Sequence, residues 1–281
     1  MPEVTVPESW LSTWVELYSR DPARLALVMA ENRKHLADVK TWWDKAALED
    51  SFYYYGVPKN CPDLDEVEQR LTYVDWMCFL AGQLKKPVKY LELGVSVGMS
   101  SYEILKTLKP ERVVGMDIES LYPLLRKELS GGAIIDEWPM HTVFNVINDK
   151  GPRPKPSRIT RYQHENSIYD YLEANIWEES TWSRLDGVKF NLVLSDAVHY
   201  PDAIRMECDR LLKNDRLDHD EFVAVWDDLQ MEGMQEAFIW IVDQIRAAFP
   251  GRTIHAGCMD VYGSYWNMKP HRAGFVMMDR G

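Results

Sequence analysis

The sequence predicts an α/β chain: a mostly parallel, seven-stranded sheet with helices on both faces, preceded by a helical segment over residues 1–85. Three observations carry that prediction. From residue 86 onward, short apolar runs alternate with helical patterns, the signature of strand–helix–strand units stacked into a parallel sheet. The run Tyr90-Leu91-Glu92-Leu93 passes into Gly94-Val95-Ser96-Val97-Gly98-Met99-Ser100-Ser101, a glycine-punctuated turn that opens a helix. A second apolar run, Arg112-Val113-Val114-Gly115-Met116, ends on Asp117, nineteen residues past Gly98.

The elements follow in order. Ser9 offers an N-cap to a helix carrying Trp10, Leu11, Trp14, Leu17 and Tyr18 at helical spacing. Asp21 caps a second helix whose first turn holds Pro22 and whose apolar face is Leu25, Val28 and Met29. Residues 51–60 form an aromatic break containing Tyr53, Tyr54 and Tyr55, and a helix is predicted over about 64–84. Residues 86–281 are then the sheet domain. A helix over about 100–107 follows the glycine turn. A long connection occupies 119–157, and a third strand is predicted at about 158–163. The fourth strand, Phe190–Ser195, ends at Asp196, and the fifth, Glu221–Trp226, ends at Asp227-Asp228. A helix over about 233–249 precedes two strands near 253–259 and 273–278, predicted to close the sheet as an antiparallel pair.

Composition narrows the function. The 281 residues suffice to bury a full core, and 46% hydrophobic with 27% charged residues is a globular balance. The net charge of −12 comes without any lysine- or arginine-rich run, so nucleic acid is not an expected partner. The first residues have neither the basic nor the apolar region of a signal peptide, and no apolar run reaches the roughly 18 to 20 residues of a membrane helix, so no membrane association is expected. Four scattered cysteines suit reduced thiols and a cytoplasmic location. Eleven tryptophans and fourteen tyrosines suit a core, and equally a pocket for cations or flat ligands.

Ligands of open α/β sheets bind at the carboxyl ends of the strands. The polar residues predicted there are Glu92, Asp117, Glu165-Asn166-Ser167, Asp196, His199 and Asp227-Asp228. Such a set converges on one edge. His199, three residues past Asp196, is placed to take a proton from a hydroxyl or amine, or to bind a metal.

The turn reads E-x-G-x-x-x-G, with Ser96 where a pyrophosphate-binding dinucleotide turn needs its middle glycine. With Asp117 behind it, this resembles the first motif of the class I S-adenosylmethionine-dependent methyltransferases of small-molecule type, over about residues 86–281. The resemblance implies a Rossmann-like methyltransferase fold and S-adenosylmethionine as cofactor. The cofactor-binding set it implies is Glu92, Gly94, Ser96, Gly98, Asp117, Glu165, Asn166, Ser167 and Asp196. Gly94 and Gly98 would shape the turn under the methionine part and the ribose. Asp117 would accept from both ribose hydroxyls, and Glu165 or Asn166 would face the adenine. Asp196 with Asp227 and Asp228 resembles the carboxylate set of metal-dependent O-methyltransferases, although Asp228 stands where those enzymes often have Asn; such hard donors suit Mg²⁺. Catalysis is assigned to Asp196, His199 and Asp227, and Tyr53, Tyr54 and Tyr55 are placed as a lid over the substrate. The implied activity is methyl transfer to a small polar metabolite, oxygen preferred slightly over nitrogen. Two alternatives share the cofactor: cyclisation of its aminobutyrate arm to azetidine-2-carboxylate with release of methylthioadenosine, and a non-catalytic S-adenosylmethionine-binding partner protein. The oligomeric state stays open, a homodimer included.

Overall fold

The computed structural model describes residues 5–46, 53–54, 57–58, 71–96, 98–121, 123–130, 133–145, 153–185, 187–261 and 271–280. Helices α1 (Glu8–Arg20), α2 (Pro22–Ala46) and α3 (Tyr73–Ala81) come first, with two short strands, β1 (Tyr53–Tyr54) and β2 (Val57–Pro58), between α2 and α3. Then follow β3 (Lys89–Leu93), α4 (Met99–Leu108), β4 (Arg112–Asp117), α5 (Pro123–Ser130), β5 (Ala133–Asn145), β6 (Arg153–His164) and β7 (Ser167–Glu173). The chain continues through α6 (Glu179–Ser183), β8 (Leu192–Ser195), α7 (Pro201–Lys213), β9 (Phe222–Trp226), α8 (Met234–Ala248), β10 (Ile254–Val261) and β11 (His271–Met278).

One nine-stranded sheet has the order β10-β11-β9-β8-β3-β4-β7-β6-β5. Its five central strands, β7, β4, β3, β8 and β9, are mutually parallel, and the two strands on each flank run antiparallel to their neighbours. The chain therefore starts in the middle, at β3, winds out to β4 and β7, and returns to wind the other way through β8 and β9. This is a doubly wound, Rossmann-like sheet whose direction reverses between β3 and β8.

The two faces are built by strict alternation. Tyr90, Val113, Leu192, Leu194, Val223 and Val225 face a core shared with α3 and α4, while Leu91, Leu93, Val114, Val193, Ala224 and Trp226 face a core shared with α7 and α8. Strands buried on both sides read as continuous apolar runs, which is why β3, β4, β8 and β9 were legible. Helix α3 is buried at every position, wedged between α2 and the sheet. Its one carboxylate, Asp75, survives there because its partners are all present: Thr72 N donates at 2.9 Å, Asn32 Nδ2 at 2.8 Å, and the Arg33 guanidinium grips both oxygens at 3.1 and 2.6 Å. Thr72 and Asp75 form a reciprocal capping box that fixes where α3 begins.

The sheet has two more strands than the seven expected. The segment predicted as the third parallel strand, 158–163, lies within β6, which runs antiparallel in a hairpin with β7. The parallel third strand is Ser167–Glu173. Ser9 lies inside α1 rather than at its cap, which is Pro7, whereas Asp21 does cap α2, its Oδ1 accepting from Arg24 N at 3.1 Å.

Candidate active site

The glycine turn is shaped by what surrounds it. Gly94 lies at φ +85°, and a Cβ there would sit 2.2 Å from the Asp196 carbonyl oxygen and 2.5 Å from Ala197 Cα. The loops leaving β3 and β8 thus touch through a missing side chain, at the point where the sheet reverses direction. Gly98, at φ +80°, is the N-cap of α4, and a Cβ there would meet the Leu125 side chain at 2.5 Å. Between them Ser96 also takes a left-handed conformation and donates its N–H to Asp117 Oδ2 at 2.7 Å. Asp117 Oδ1 accepts from Glu119 N at 2.8 Å. Burial raises the Asp117 pKa above its ordinary value, against the pull of these backbone N–H groups.

A cleft partly open to solvent lies over this edge. Its lining comes from four strand ends: Gly94 follows β3, Met116, Asp117 and Ile118 lie at the end of β4, and Ala174, Asn175, Ile176 and Trp177 follow β7. Ala197 and Val198, after β8, complete it. The loop after β7 is held rigidly. Ala174 N donates to Asp117 O at 2.8 Å, Trp177 N to Asn175 Oδ1 at 3.0 Å, and Trp182 Nε1 to Ile176 O at 2.7 Å. Trp177 stays 38% exposed at the rim, with its indole available to a flat ligand.

These facts correct one sequence expectation. Glu165, Asn166 and Ser167 stand at the amino end of β7, on the sheet edge opposite Gly94 and Asp117, because β6 runs antiparallel to its neighbours. Ser167 there donates to Pro110 O at 2.6 Å. The residues at the carboxyl end of the third parallel strand are Asn175 and Trp177, which sequence reasoning missed. The signal for them was the apolar-aromatic run Ser167–Leu172 ahead of Ala174-Asn175, obscured by Asp170 in its middle.

Glu92 lies beneath the turn rather than in the cleft wall. It is buried and accepts from Ser101 Oγ, whose oxygen also bonds Tyr169 Oη at 2.8 Å. Burial drives its carboxyl pKa up to about 8. Beside it, Tyr73 Oη and Ser100 Oγ are 2.7 Å apart.

At the mouth of β8 and β9 the acids converge. Nδ1 of His199 contacts Oδ2 of Asp228 and lies 3.9 Å from Oδ1 of Asp196. Asp228, left-handed at φ +57°, is anchored by Gln230, which donates Nε2 to Oδ1 at 2.5 Å and accepts the Arg272 N–H on Oε1 at 2.9 Å. Burial opposes protonation of His199, but the hydrogen bond and charge of Asp228, and then the charges of Asp227 and Glu207, leave its pKa raised. Asp196 is raised first by burial and then by the like charges of Asp227, Asp228, Glu92 and Glu207. Behind it Glu207 accepts from Ser195 Oγ and is pushed by burial up to about 8.

Asp196, His199 and Asp228 each offer one ligand atom, all within 4.8 Å of one another. This set differs from the carboxylate trio expected from sequence: His199 replaces Asp227, which is buried beside the cluster with its N–H donated to Ser195 O at 3.0 Å. The donors present, two carboxylates and an imidazole, fit a divalent cation, whose charge would offset the like-charge repulsion that adds to burial in raising Asp196. Tyr55 falls outside the described residues, as do the side chains of Tyr53 and Tyr54, so the lid assignment lies outside them too. No helix among the described residues is long and apolar enough to cross a membrane.

No family model matches the chain, and no curated protein does. Among solved structures, it is similar to a cofactor-bound protein from MTB, at 15% identity and a TM-score of 0.47 over 88% of this chain and 90% of the other. It is also similar to the O-methyltransferase TomG from Streptomyces achromogenes, involved in tomaymycin synthesis and solved with SAM, at 15% identity and a TM-score of 0.44 over 99% and 100%. An SAH-bound methyltransferase from Podospora anserina gives 13% identity and a TM-score of 0.41 over 100% and 91%. At such identities and scores, residue roles and chemistry do not transfer from them to this chain.

Proposed function

We propose that this chain is a class I S-adenosylmethionine-dependent methyltransferase acting on a small polar acceptor, with oxygen preferred over nitrogen. The observation that carries the reading is the union, on one sheet edge, of the Gly94 contact at the reversal point with Asp117 in the wall of the same cleft. Gly94 lines the cleft, and its missing side chain lets the β8 loop close against the turn. Asp117 has each oxygen steadied by one backbone N–H, and keeps lone-pair capacity for a ribose diol. Asn175 and Trp177 would take the adenine, one as a hydrogen-bonding group and one as a flat face.

When bound, S-adenosylmethionine supplies an electrophilic methyl on a sulfonium. This chain must hold an acceptor in line with it and remove the acceptor's proton. His199 is placed for the second task. With Nδ1 committed to Asp228, Nε2 is the nitrogen that takes the proton, and Asp228 stabilises the imidazolium that results. The acceptor O–H bond would break toward His199 Nε2 as the acceptor oxygen takes the methyl that the bound cofactor would supply, the sulfonium becoming the neutral thioether of S-adenosylhomocysteine. If a divalent cation is used, Asp196, His199 and Asp228 would hold it, His199 then serving as a ligand in place of the base, and the cation would lower the pKa of an acceptor hydroxyl.

The test is incubation of the purified chain with S-adenosylmethionine, with and without catechol-type and amine acceptors. S-Adenosylhomocysteine formed only with acceptor supports methyl transfer. Methylthioadenosine formed without acceptor would instead establish cyclisation of the cofactor arm. Loss of turnover in EDTA, restored by Mg²⁺, would establish the metal.

A further inference from the structure

We propose that Glu103 of α4 is a proton-operated latch for the N-terminal helices: its neutral carboxyl lets α2 dock on α3 and α4, and its ionisation drives α2 away. The inference stands independently of the function proposed above.

Helix α4 meets the N-terminal helices through one stripe of side chains. Ser100 Oγ and Tyr73 Oη of α3 are 2.7 Å apart, and Thr107 Oγ1 donates to Asn32 Oδ1 of α2 at 2.6 Å. Glu103 stands three residues after Ser100 and four before Thr107, so helical periodicity puts it on the same stripe, between the two contacts. It is fully buried, and neither of its carboxyl oxygens has a hydrogen-bond partner among the described residues. The seam already holds one carboxylate, and that one is well served: Asp75 of α3 accepts from Thr72 N, from Asn32 Nδ2 and from both terminal nitrogens of Arg33. Among the described residues, the titratable side chains that face the seam are Arg33 and His35 from α2, with Tyr73, Asp75 and Cys78 from α3. His35 packs edge-on against Tyr102 of α4, the ring centres 6.2 Å apart. The fixed cation in this set, Arg33, is committed to Asp75.

A carboxyl so placed keeps its proton. Burial raises the Glu103 pKa well above the ordinary carboxyl value, against the pull of Arg33. Ionised, it would be a buried charge without a donor, in a seam that already carries Asp75. Once α2 swings away, water reaches Glu103 and the carboxyl ionises at its ordinary value of about 4.3. The docked form therefore holds a proton that the open form releases. Docking is strongest below the open-state pKa and weakens as pH rises toward the docked-state pKa, by up to about tenfold per pH unit. Helix α2 is the element held lightly enough to move: among its described side chains only Leu25 and Asn32 are buried, whereas α3 is buried at every position. Because α4 opens at Gly98, the latch links proton uptake to the seating of the helix that follows the glycine turn.

The experiment is hydrogen exchange of the full chain, read by mass spectrometry at about pH 6, 7 and 8, in the wild type and in Glu103→Gln, with rates converted to protection factors. In the wild type, the amides of α2 should lose about tenfold in protection per pH unit, and at each pH they should exchange faster than those of α8. Glu103→Gln, which has no titrating proton, should hold α2 protection within about threefold across the range. Glu103→Met, neutral and of similar length, carries the test if the glutamine variant does not fold. Wild-type protection of α2 that ignores pH, or a neutral variant that keeps the wild-type slope, overturns the inference. One common protection factor for α2 and α8 also overturns it, because α2 would then open only with the whole chain.

Discussion

His199 and Asp228 form a histidine–carboxylate pair: Nδ1 contacts Oδ2, and the second carboxylate oxygen is held by Gln230. Aspartates held at a fixed angle behind an imidazole set its tautomer and stabilise its charged form. His199→Gln should therefore lower kcat by about 10²-fold or more while leaving S-adenosylhomocysteine affinity within about threefold. In the wild type, kcat/KM should rise with pH through an apparent pKa above the usual histidine value of about 6.5, because the neutral ring is the active form and Asp228 raises its pKa. Steady-state kinetics against pH check both statements.

Gln230→Leu should act through Asp228. Removing the amide takes one hydrogen bond from Oδ1 and leaves the Arg272 N–H without that acceptor. The expected outcome is about a tenfold fall in kcat with little change in cofactor affinity, read by kinetics and calorimetry on the same preparation.

Gly94→Ala should cost stability as well as binding. The added methyl would meet the Asp196 carbonyl oxygen at 2.2 Å, and φ +85° is strained for alanine. A loss of about 2 kcal/mol or more is expected by denaturant titration, with cofactor binding abolished because the β8 loop must move.

Stability should fall as pH rises from about 5 to 8. Glu92 and Glu207 both have native pKa values near 8, far above the ordinary carboxyl value, so the folded chain retains protons that the unfolded chain releases. Their protonated forms are favoured in the fold below the unfolded pKa, and that advantage is lost progressively as pH climbs through the native pKa. Each group contributes a slope of at most about 1.4 kcal/mol per pH unit. Glu207→Gln, which keeps the Ser195 contact without a titrating proton, should flatten the dependence measured by thermal unfolding at several pH values.

The parallel core was legible because its strands are buried on both faces, and the glycine turn because backbone must be bare where two loops meet. Asp117, Asp196 and Asp228 were legible because each follows an apolar run. The hairpin of β6 and β7 was not. Ser167–Glu173 places Asp170 in a buried strand, where its charge is offset by Arg112 of β4 and by Arg161 of β6 at 2.6 Å. Those partners come from neighbouring strands, and nothing local announces them. Reading β6 as the third parallel strand moved Glu165–Ser167 to the wrong edge and hid Asn175 and Trp177. The replacement of Asp227 by His199 in the ligand-atom cluster has a similar origin. Consecutive aspartates after β9 differ in backbone conformation, and only Asp228 turns left-handed toward the imidazole.

The central claim is that the edge joining Gly94 to Asp117 receives an adenosyl sulfonium. The most direct measurement is calorimetric titration of wild-type chain and Asp117→Ala with S-adenosylmethionine and, separately, with NADH. The prediction is saturable binding of S-adenosylmethionine, weakened about 10- to 100-fold by Asp117→Ala, as expected for lost hydrogen bonds to a charged acceptor, and no heat with NADH. Binding of NADH without binding of S-adenosylmethionine, or an Asp117→Ala chain that binds S-adenosylmethionine as tightly as the wild type, would contradict it.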